Sequence, residues 1–302
     1  MKDTLKLVIL PLYRIENEYS FLPYSFLSNS KNTLNLEWLE ANLSELDYKF
    51  DITSISIEGG EISLLSDIYF DLLFNLLKIY NKKISVLTDF VKFNRSLINN
   101  ADIINVIYNF NHNLDIVNKN IKAAVATGKI INIQSIDIFL QDNFYEKITT
   151  LNRLKIKSWK IIPYQKTKLN NIENYDLKIY EEVLINYRKL KDQMQFSYLN
   201  DLELEGIIKT NNFPINVVYI TPNNKFGLGK IDKNNCFYIE EYETINELEK
   251  NLKKYQNEQI LICDKCKYKQ DCLAERYFNP DLITSTDCNG HKQLLKIEKK
   301  GK

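Results

Sequence analysis

The sequence predicts an α/β protein in which a parallel β-sheet alternates with helices, followed by a small cysteine-rich unit. Three observations lead to this prediction. Apolar, β-branched runs alternate with amphipathic stretches over the first part of the chain. More polar helical segments follow after about residue 167. Four of the five cysteines then lie within the last 40 of the 302 residues.

Six segments have the near-continuous apolar composition that is typical of parallel strands covered on both faces. Between them, apolar residues at spacings of three and four predict helices. This alternation predicts a parallel βα array, either an open sheet or a partial barrel. The predicted strands are 5–11, 52–60, 83–89, 103–110, 130–138 and 158–165, and the predicted helices are 34–46, 64–83, 90–101, 114–126 and 143–154.

Beyond residue 167 the strand-helix alternation stops. Segment 215–232 is predicted to form a hairpin around a Pro-Asn-Asn turn, because two β-like runs flank these turn residues. A surface helix is predicted to follow it, over 244–260. We therefore predict three regions: the βα array at 1–167, a helical connector at 168–211 and a C-terminal unit at 212–302.

The composition excludes several classes of function. The 40 Lys and Arg residues nearly balance the 39 Asp and Glu residues, so no overall positive field attracts nucleic acid or an anionic membrane. No apolar run reaches the roughly 18 residues of a membrane-spanning helix, and Pro11 interrupts the apolar start before a signal peptide could form. We expect a cytoplasmic protein. Hydrolase chemistry has little support, because the only histidines, His112 and His291, lie in no nucleophile motif.

The cysteines near the C-terminus have the spacing of metal ligands. Cys263 and Cys266 are three apart, Cys272 follows after five residues, and Cys288 comes from a returning segment. Four thiolates suit either zinc or an iron–sulfur cluster, and the spacing does not choose between them. Cys236 stands apart from this group and is interpreted as a structural residue.

This cysteine-rich tail resembles the SPASM domain that follows radical SAM barrels in peptide-modifying enzymes. That domain carries a C-x2-C-x5-C-x3-C run and a final downstream cysteine, and it usually holds two [4Fe-4S] clusters. Here the position that would serve the inner cluster holds Arg276. The resemblance therefore implies one auxiliary [4Fe-4S] cluster, bound by Cys263, Cys266, Cys272 and Cys288.

The first half of the chain resembles a radical SAM barrel. Its segment 57–61, with the letters IEGGE, is similar to the GGE motif that ends the second barrel strand and holds the amino group of S-adenosylmethionine. Glycines permit close backbone approach, and a carboxylate pairs with an ammonium group. The resemblance implies a partial (β/α)6 barrel with Gly59, Gly60 and Glu61 at the cofactor; a simple strand-ending turn is the alternative.

The cysteine motif of a catalytic radical SAM cluster is missing. Such enzymes carry C-x3-C-x2-C after the first strand, whereas this sequence has no cysteine before Cys236. Aligned with that motif, the three cysteine positions hold Glu16, Ser20 and Pro23. Because proline cannot ligate iron, we expect no reductive cleavage of S-adenosylmethionine. Whether this cofactor still binds is left open.

A barrel without these cysteines and with a SPASM-like tail resembles the SPASM-domain peptide maturase of grasp-with-spasm systems. The resemblance implies a maturation factor that binds a ribosomal precursor peptide or a modifying partner, with an ATP-grasp ligase as a further partner. Enzymatic activity is left open. The alternatives are an active radical SAM enzyme with an unusual cluster anchor and a zinc-ribbon binding module. Candidate peptide contacts at the barrel mouth are Tyr13, Tyr19, Phe21 and Tyr24.

Overall fold

The computed structural model describes residues 2–13, 32–60, 62–110, 114–136, 140–162, 177–199, 216–231 and 237–263. Over these ranges the chain forms one ten-stranded sheet and seven α-helices. The strands are β1 (Thr4–Ile9), β2 (Asp51–Ile57), β3 (Ile84–Thr88), β4 (Ile103–Ile107), β5 (Ile130–Ile136), β6 (Ser158–Ile162), β7 (Ser197–Tyr198), β8 (Asn216–Thr221), β9 (Lys225–Ile231) and β10 (Phe237–Tyr242). The helices are α1 (Leu36–Lys49), α2 (Asp67–Lys78), α3 (Arg95–Asn100), α4 (Asp115–Ala126), α5 (Phe144–Leu154), α6 (Leu177–Lys189) and α7 (Ile245–Cys263).

The order of the strands confirms the predicted α/β class. Strands β1 to β7 follow one another in sequence order and every neighbouring pair is parallel. The predicted hairpin is present as β8 and β9, and β8 pairs in parallel with β1. The C-terminal strands therefore extend the same sheet beyond β1. Strands β7 and β10 were not predicted, and the division into three regions stays a prediction.

Local sequence signals set where the first helices begin. The side chain of Asn35 accepts hydrogen bonds from the backbone N–H groups of Glu37 and Trp38, and so caps α1. Ser66 caps α2 by accepting from the backbone N–H of Tyr69. Each cap satisfies N–H groups that have no partner inside the helix, which typically contributes about 1 kcal/mol.

One face of the sheet packs against the helices and forms the main core. Near β6 this core is built around Trp159, which is fully buried. The Trp159 ring packs edge-on against the ring of Tyr187 on α6, with ring centroids 4.7 Å apart. The indole N–H donates to the hydroxyl of Ser135 at 3.1 Å, so the one polar atom of this side chain is satisfied. Fully buried strand residues on this face include Leu7, Ile55, Val86, Ile104, Ile133 and Ile161.

Candidate functional site

The opposite side of strands β1 to β6 carries a set of polar side chains among aliphatic ones such as Val8, Ile103 and Ile107. Side chains alternate between the two faces of a strand, and the pairing register places the polar ones side by side. This departs from the expectation of strands that are apolar on both faces. We call this surface the polar face; it comprises Lys6, Ser54, Ser56, Ser85, Asn105, Asn132, Gln134, Ser158 and Lys160.

Hydrogen bonds connect neighbouring strands across the polar face. The side-chain amide of Asn132 donates to Oδ1 of Asn105 at 3.1 Å, and its own Oδ1 accepts from the hydroxyl of Ser158 at 2.6 Å. The hydroxyl of Ser85 donates to Oγ of Ser56 at 3.0 Å. The face is therefore an ordered set of donors and acceptors on rigid strands, which is the arrangement that binds polar ligands with defined orientation.

A carboxylate lies at the carboxyl end of β2 beside this face. Glu58 is 9% exposed and accepts from the hydroxyl of Ser56 at 2.6 Å. The ammonium of Lys6 lies 3.7 Å from the same carboxylate oxygen. Since the Lys6 side chain is 39% exposed, solvent weakens this ion pair, and its main effect is to orient both groups.

The glycine loop after β2 packs tightly on the chain that leaves β1. Gly59 has a φ of +128°, and a Cβ at this position would lie 2.7 Å from the carbonyl oxygen of Leu12. The backbone N–H of Gly60 donates to the same carbonyl at 2.9 Å. These contacts with Leu12 give a local structural reason for glycine at position 59. Binding of S-adenosylmethionine by Gly59, Gly60 and Glu61 stays a prediction.

Near the same loop, the chain that leaves β1 pairs with the chain that enters α1. Leu12 and Thr33 form an isolated antiparallel bridge. The backbone N–H of Leu34 donates to the carbonyl of Pro11 at 2.8 Å. The described chain after β1 and the described chain before α1 are thus held together at the carboxyl edge of the sheet.

Side chains from the β8–β9 turn and from β10 contact the place where the chain leaving β1 meets the chain entering α1. The hydroxyl of Tyr13 donates to Oε1 of Glu241 at 3.0 Å, and the side-chain amide of Asn223 donates to the same oxygen at 3.0 Å. Asn223 in turn accepts from the amide of Asn32 at 3.2 Å. Burial and the neighbouring Glu241 carboxylate raise the pKa of Tyr13, so its phenol remains a donor. Being buried, Tyr13 packs and does not line an open mouth.

The predicted cysteine centre lies almost wholly outside the described residues. Cys263 is the final residue of α7. Among the side chains that the structure describes, no three His, Cys, Asp or Glu residues are grouped as metal ligands. The remaining predicted residues outside the described ranges are Cys266, Cys272, Cys288, Cys236, Arg276, Glu61, Glu16, Ser20, Pro23, Tyr19, Phe21, Tyr24, His112 and His291.

Sequence reasoning missed the polar face. Its signal was present as polar residues at alternate positions inside the predicted strands, for example Asn132 and Gln134 on β5.

Within the described ranges, no helix has both the length and the apolar composition needed to cross a membrane.

No family model and no curated protein matches the sequence. Solved structures do match the fold. SuiB of Streptococcus suis bound to S-adenosylmethionine aligns with a TM-score of 0.65 and 14% identity, over 94% of this chain and 75% of that one. SuiB bound to its precursor peptide SuiA aligns with a TM-score of 0.55 and 17% identity, over 75% of this chain.

The alignment covers 59% of SuiB in its complex with SuiA and 60% of it in another crystal structure of SuiB. Methylornithine synthase PylB aligns with a TM-score of 0.50 and 11% identity, over 84% of this chain and 82% of that one. At these identities the likeness concerns the fold alone. This chain therefore has an α/β fold similar to that of SuiB and of methylornithine synthase PylB.

Proposed function

We propose that this chain is a maturation factor for a ribosomally synthesised and post-translationally modified peptide. In this proposal it is a degenerate radical SAM protein of the SPASM type that binds a precursor peptide or a modifying partner. One observation carries the proposal: the fold aligns with SuiB over 94% of the chain, yet the sequence has no cysteine before Cys236.

Two features support a peptide ligand. One of the structures with this fold is SuiB in complex with a precursor peptide. In this chain, the polar face offers amide and hydroxyl groups on neighbouring strands, such as Asn105, Asn132 and Ser158. An ATP-grasp ligase as the partner enzyme follows from the resemblance to grasp-with-spasm maturases.

The four cysteines near the C-terminus have the ligand chemistry that one auxiliary iron–sulfur cluster requires. Four cysteine thiolates are the usual ligands of a [4Fe-4S] cluster, and Cys263, Cys266, Cys272 and Cys288 supply four. The first of them is the final residue of α7, and the first half of this helix is anchored in the core by Leu248 and Leu252. A bound cluster supplies folding free energy to the segment that ligates it.

The residues aligned with the catalytic motif do not fit a second cluster. Glu16, Ser20 and Pro23 provide no thiolate, and proline has no ligand atom in its side chain. The proposed role is therefore binding and presentation of the peptide, without radical chemistry.

Anaerobic reconstitution with iron and sulfide tests the auxiliary cluster. We expect broad visible absorbance and about four irons per chain. Both should be lost when Cys263, Cys266, Cys272 and Cys288 are replaced by Ala, whereas Cys236→Ala should retain them. Stoichiometric zinc without iron would reject the cluster and favour the zinc-ribbon alternative.

A separate assay tests whether the protein lacks the ability to cleave S-adenosylmethionine. Reconstituted protein is incubated anaerobically with S-adenosylmethionine and a strong reductant, and 5′-deoxyadenosine is quantified by chromatography. We expect no product above a blank without protein. Turnover that survives Cys-to-Ala replacement of the tail cysteines would show an active radical enzyme with an unusual anchor, and would overturn this part of the proposal.

A further inference from the structure

We propose that the outer face of α2 pairs with the same face of a second copy of this chain, in an antiparallel arrangement about a twofold axis. This outer face comprises Ile68, Leu72 and Asn75 of α2 and the C-cap residue Ile79, all of which are exposed. It lies on the helix-covered side of the sheet, opposite the polar face. The inference does not depend on the proposed function.

The outer face of α2 carries an apolar stripe. Ile68 is 73% exposed, Leu72 57% and Ile79 74%. Residues four and seven apart share one face of a helix, so these three form a row about 16 Å long. The outer faces of the other long βα helices expose one large hydrophobic side chain each: Tyr48 on α1, Ile116 on α4 and Tyr145 on α5. Single exposed hydrophobics are ordinary, whereas a continuous apolar row marks an interaction surface.

The stripe matches its own twofold copy. A twofold axis perpendicular to the helix reverses the order of residues, so that each end of the stripe meets the opposite end of the copy. If Ile68 faces Ile79 of the second copy, Leu72 faces Asn75, and the axis passes between positions 73 and 74. The two Asn75 side chains then approach each other near the axis. Each carboxamide has both a donor and an acceptor for the other, and a polar pair in an apolar seam fixes its register.

The charges beside the stripe favour the antiparallel copy. Asp71 accepts from the hydroxyl of Ser96, and Lys78 donates to Oδ1 of Asn100 at 2.6 Å. Since both partners belong to α3, Asp71 and Lys78 lie on the same flank of α2. The twofold rotation keeps this flank against itself and reverses the helix direction. The acid of each copy therefore approaches the base of the other, and this contact occurs twice.

An anionic membrane suits this face less well. The exposed charged residues of α2 are Asp67, Asp71 and Lys78, so acids outnumber bases. Helices that lie on membrane surfaces have polar faces rich in Lys and Arg. A second copy, in contrast, uses both signs of charge.

Sedimentation velocity of the full-length chain in a reducing buffer tests the dimer. One helix pair is at the low end of interface size, so we expect a reversible monomer–dimer equilibrium with a Kd of about 10–100 µM. The mean sedimentation coefficient should therefore rise between about 1 and about 200 µM protein. A sedimentation coefficient of the monomer over this whole range would overturn the proposal.

Matched variants test which face is used. Leu72→Glu places like charges near the axis and should raise the Kd of the dimer at least about tenfold. Ile116→Glu is the control, because Ile116 on α4 is 59% exposed, close to the 57% of Leu72. It should leave the Kd unchanged. Equal Kd values for the two variants would overturn the proposal.

A charge exchange tests the antiparallel orientation and serves also if Leu72→Glu fails to fold. Asp71→Lys should weaken the dimer, because two bases then meet on each flank. Adding Lys78→Asp to the same chain restores opposite charges and should recover most of the lost affinity. A double variant that is no tighter than Asp71→Lys alone would overturn the antiparallel pairing.

Crosslinking locates the contact directly. A photocrosslinking amino acid in place of Asn75 is introduced into chains labelled with either of two nitrogen isotopes, and the mixed sample is irradiated. We expect crosslinks between copies that map to segment 68–79. Crosslinks between copies that map only to other segments would overturn the proposal. None of these measurements requires iron or a peptide, so their outcome is separate from that of the proposed function.

Discussion

Two adjacent residues on β4 show how differently the two faces of the sheet are used. Ile104 is fully buried against the helices, whereas Asn105 lies on the polar face and hydrogen-bonds to Asn132. The same contrast holds on β5, where Ile133 is buried and Gln134 is partly exposed. The helix-packed face thus supplies the main hydrophobic core, and on the other face polar side chains link neighbouring strands by hydrogen bonds.

The largest expected effect comes from truncating the helix-packed face. Ile104→Ala removes a buried aliphatic side chain and leaves a cavity, so the free energy of unfolding should fall by about 2–5 kcal/mol. Asn105→Ala, one residue away, should change it by less than about 1 kcal/mol. Urea unfolding followed by circular dichroism measures both. Equal losses would show that the polar face is part of the stabilising core.

A smaller effect is expected where β2 leaves the sheet. Gly59→Ala combines a strained positive φ with a Cβ only 2.7 Å from the Leu12 carbonyl oxygen, so we expect a loss of about 2–3 kcal/mol. Gly128→Ala is the matched control, because Gly128 also has a positive φ but nothing lies within 4 Å of its Cβ position. It should cost about 1 kcal/mol. If thermal denaturation gives equal losses, the contact with Leu12 is unimportant.

The third expected effect is confined to alkaline pH and concerns the phenol hydroxyl of Tyr108, which is buried on the helix-packed side. Burial raises the pKa of Tyr108 from 10.0 to about 12, although its hydrogen bond to Asn118 acts in the opposite direction. The folded protein therefore keeps the phenol protonated at a pH where the unfolded chain ionises. This contribution to stability is complete below pH 10 and is lost as the pH rises to about 12, at up to about 1.4 kcal/mol per pH unit.

Urea unfolding at pH 9 to 11 measures this dependence. Tyr108→Phe should make the alkaline fall in stability shallower, whereas Tyr48→Phe, at a side chain that is 78% exposed, should not. Burial also raises the pKa of Tyr69 and Tyr187, so the wild-type fall should be steeper than one tyrosine explains. An unchanged slope in Tyr108→Phe would contradict the assignment.

The elements of the fold were largely predictable because local composition specifies them. All six predicted strands of the βα array are present, since runs such as 103–107 are rich in isoleucine and valine. Strand β10 was missed because its sequence, FYIEEY, mixes charged and aromatic residues and forms a strand only by pairing with β9. Two-residue β7 has too few positions to show any pattern.

The site was less predictable because its contacts are not local. Asn105 and Asn132 are 27 positions apart, and only the pairing of β4 with β5 makes them neighbours. Position 59 likewise needs glycine because of a residue far away in the sequence: a Cβ there would clash with the carbonyl oxygen of Leu12, in the chain that leaves β1. The cysteine set, by contrast, was visible at once, because its members are close together in the sequence.

The pairing of β1 with β8 constrains how the protein is made. Leu5 leaves the ribosome well before its partner Asn216, which lies far downstream in the chain. During that interval one edge of β1 has no native neighbour, and unpaired strand edges promote association between chains. Completion of the sheet must therefore wait for late translation, which makes nascent chains of this protein candidates for chaperone protection.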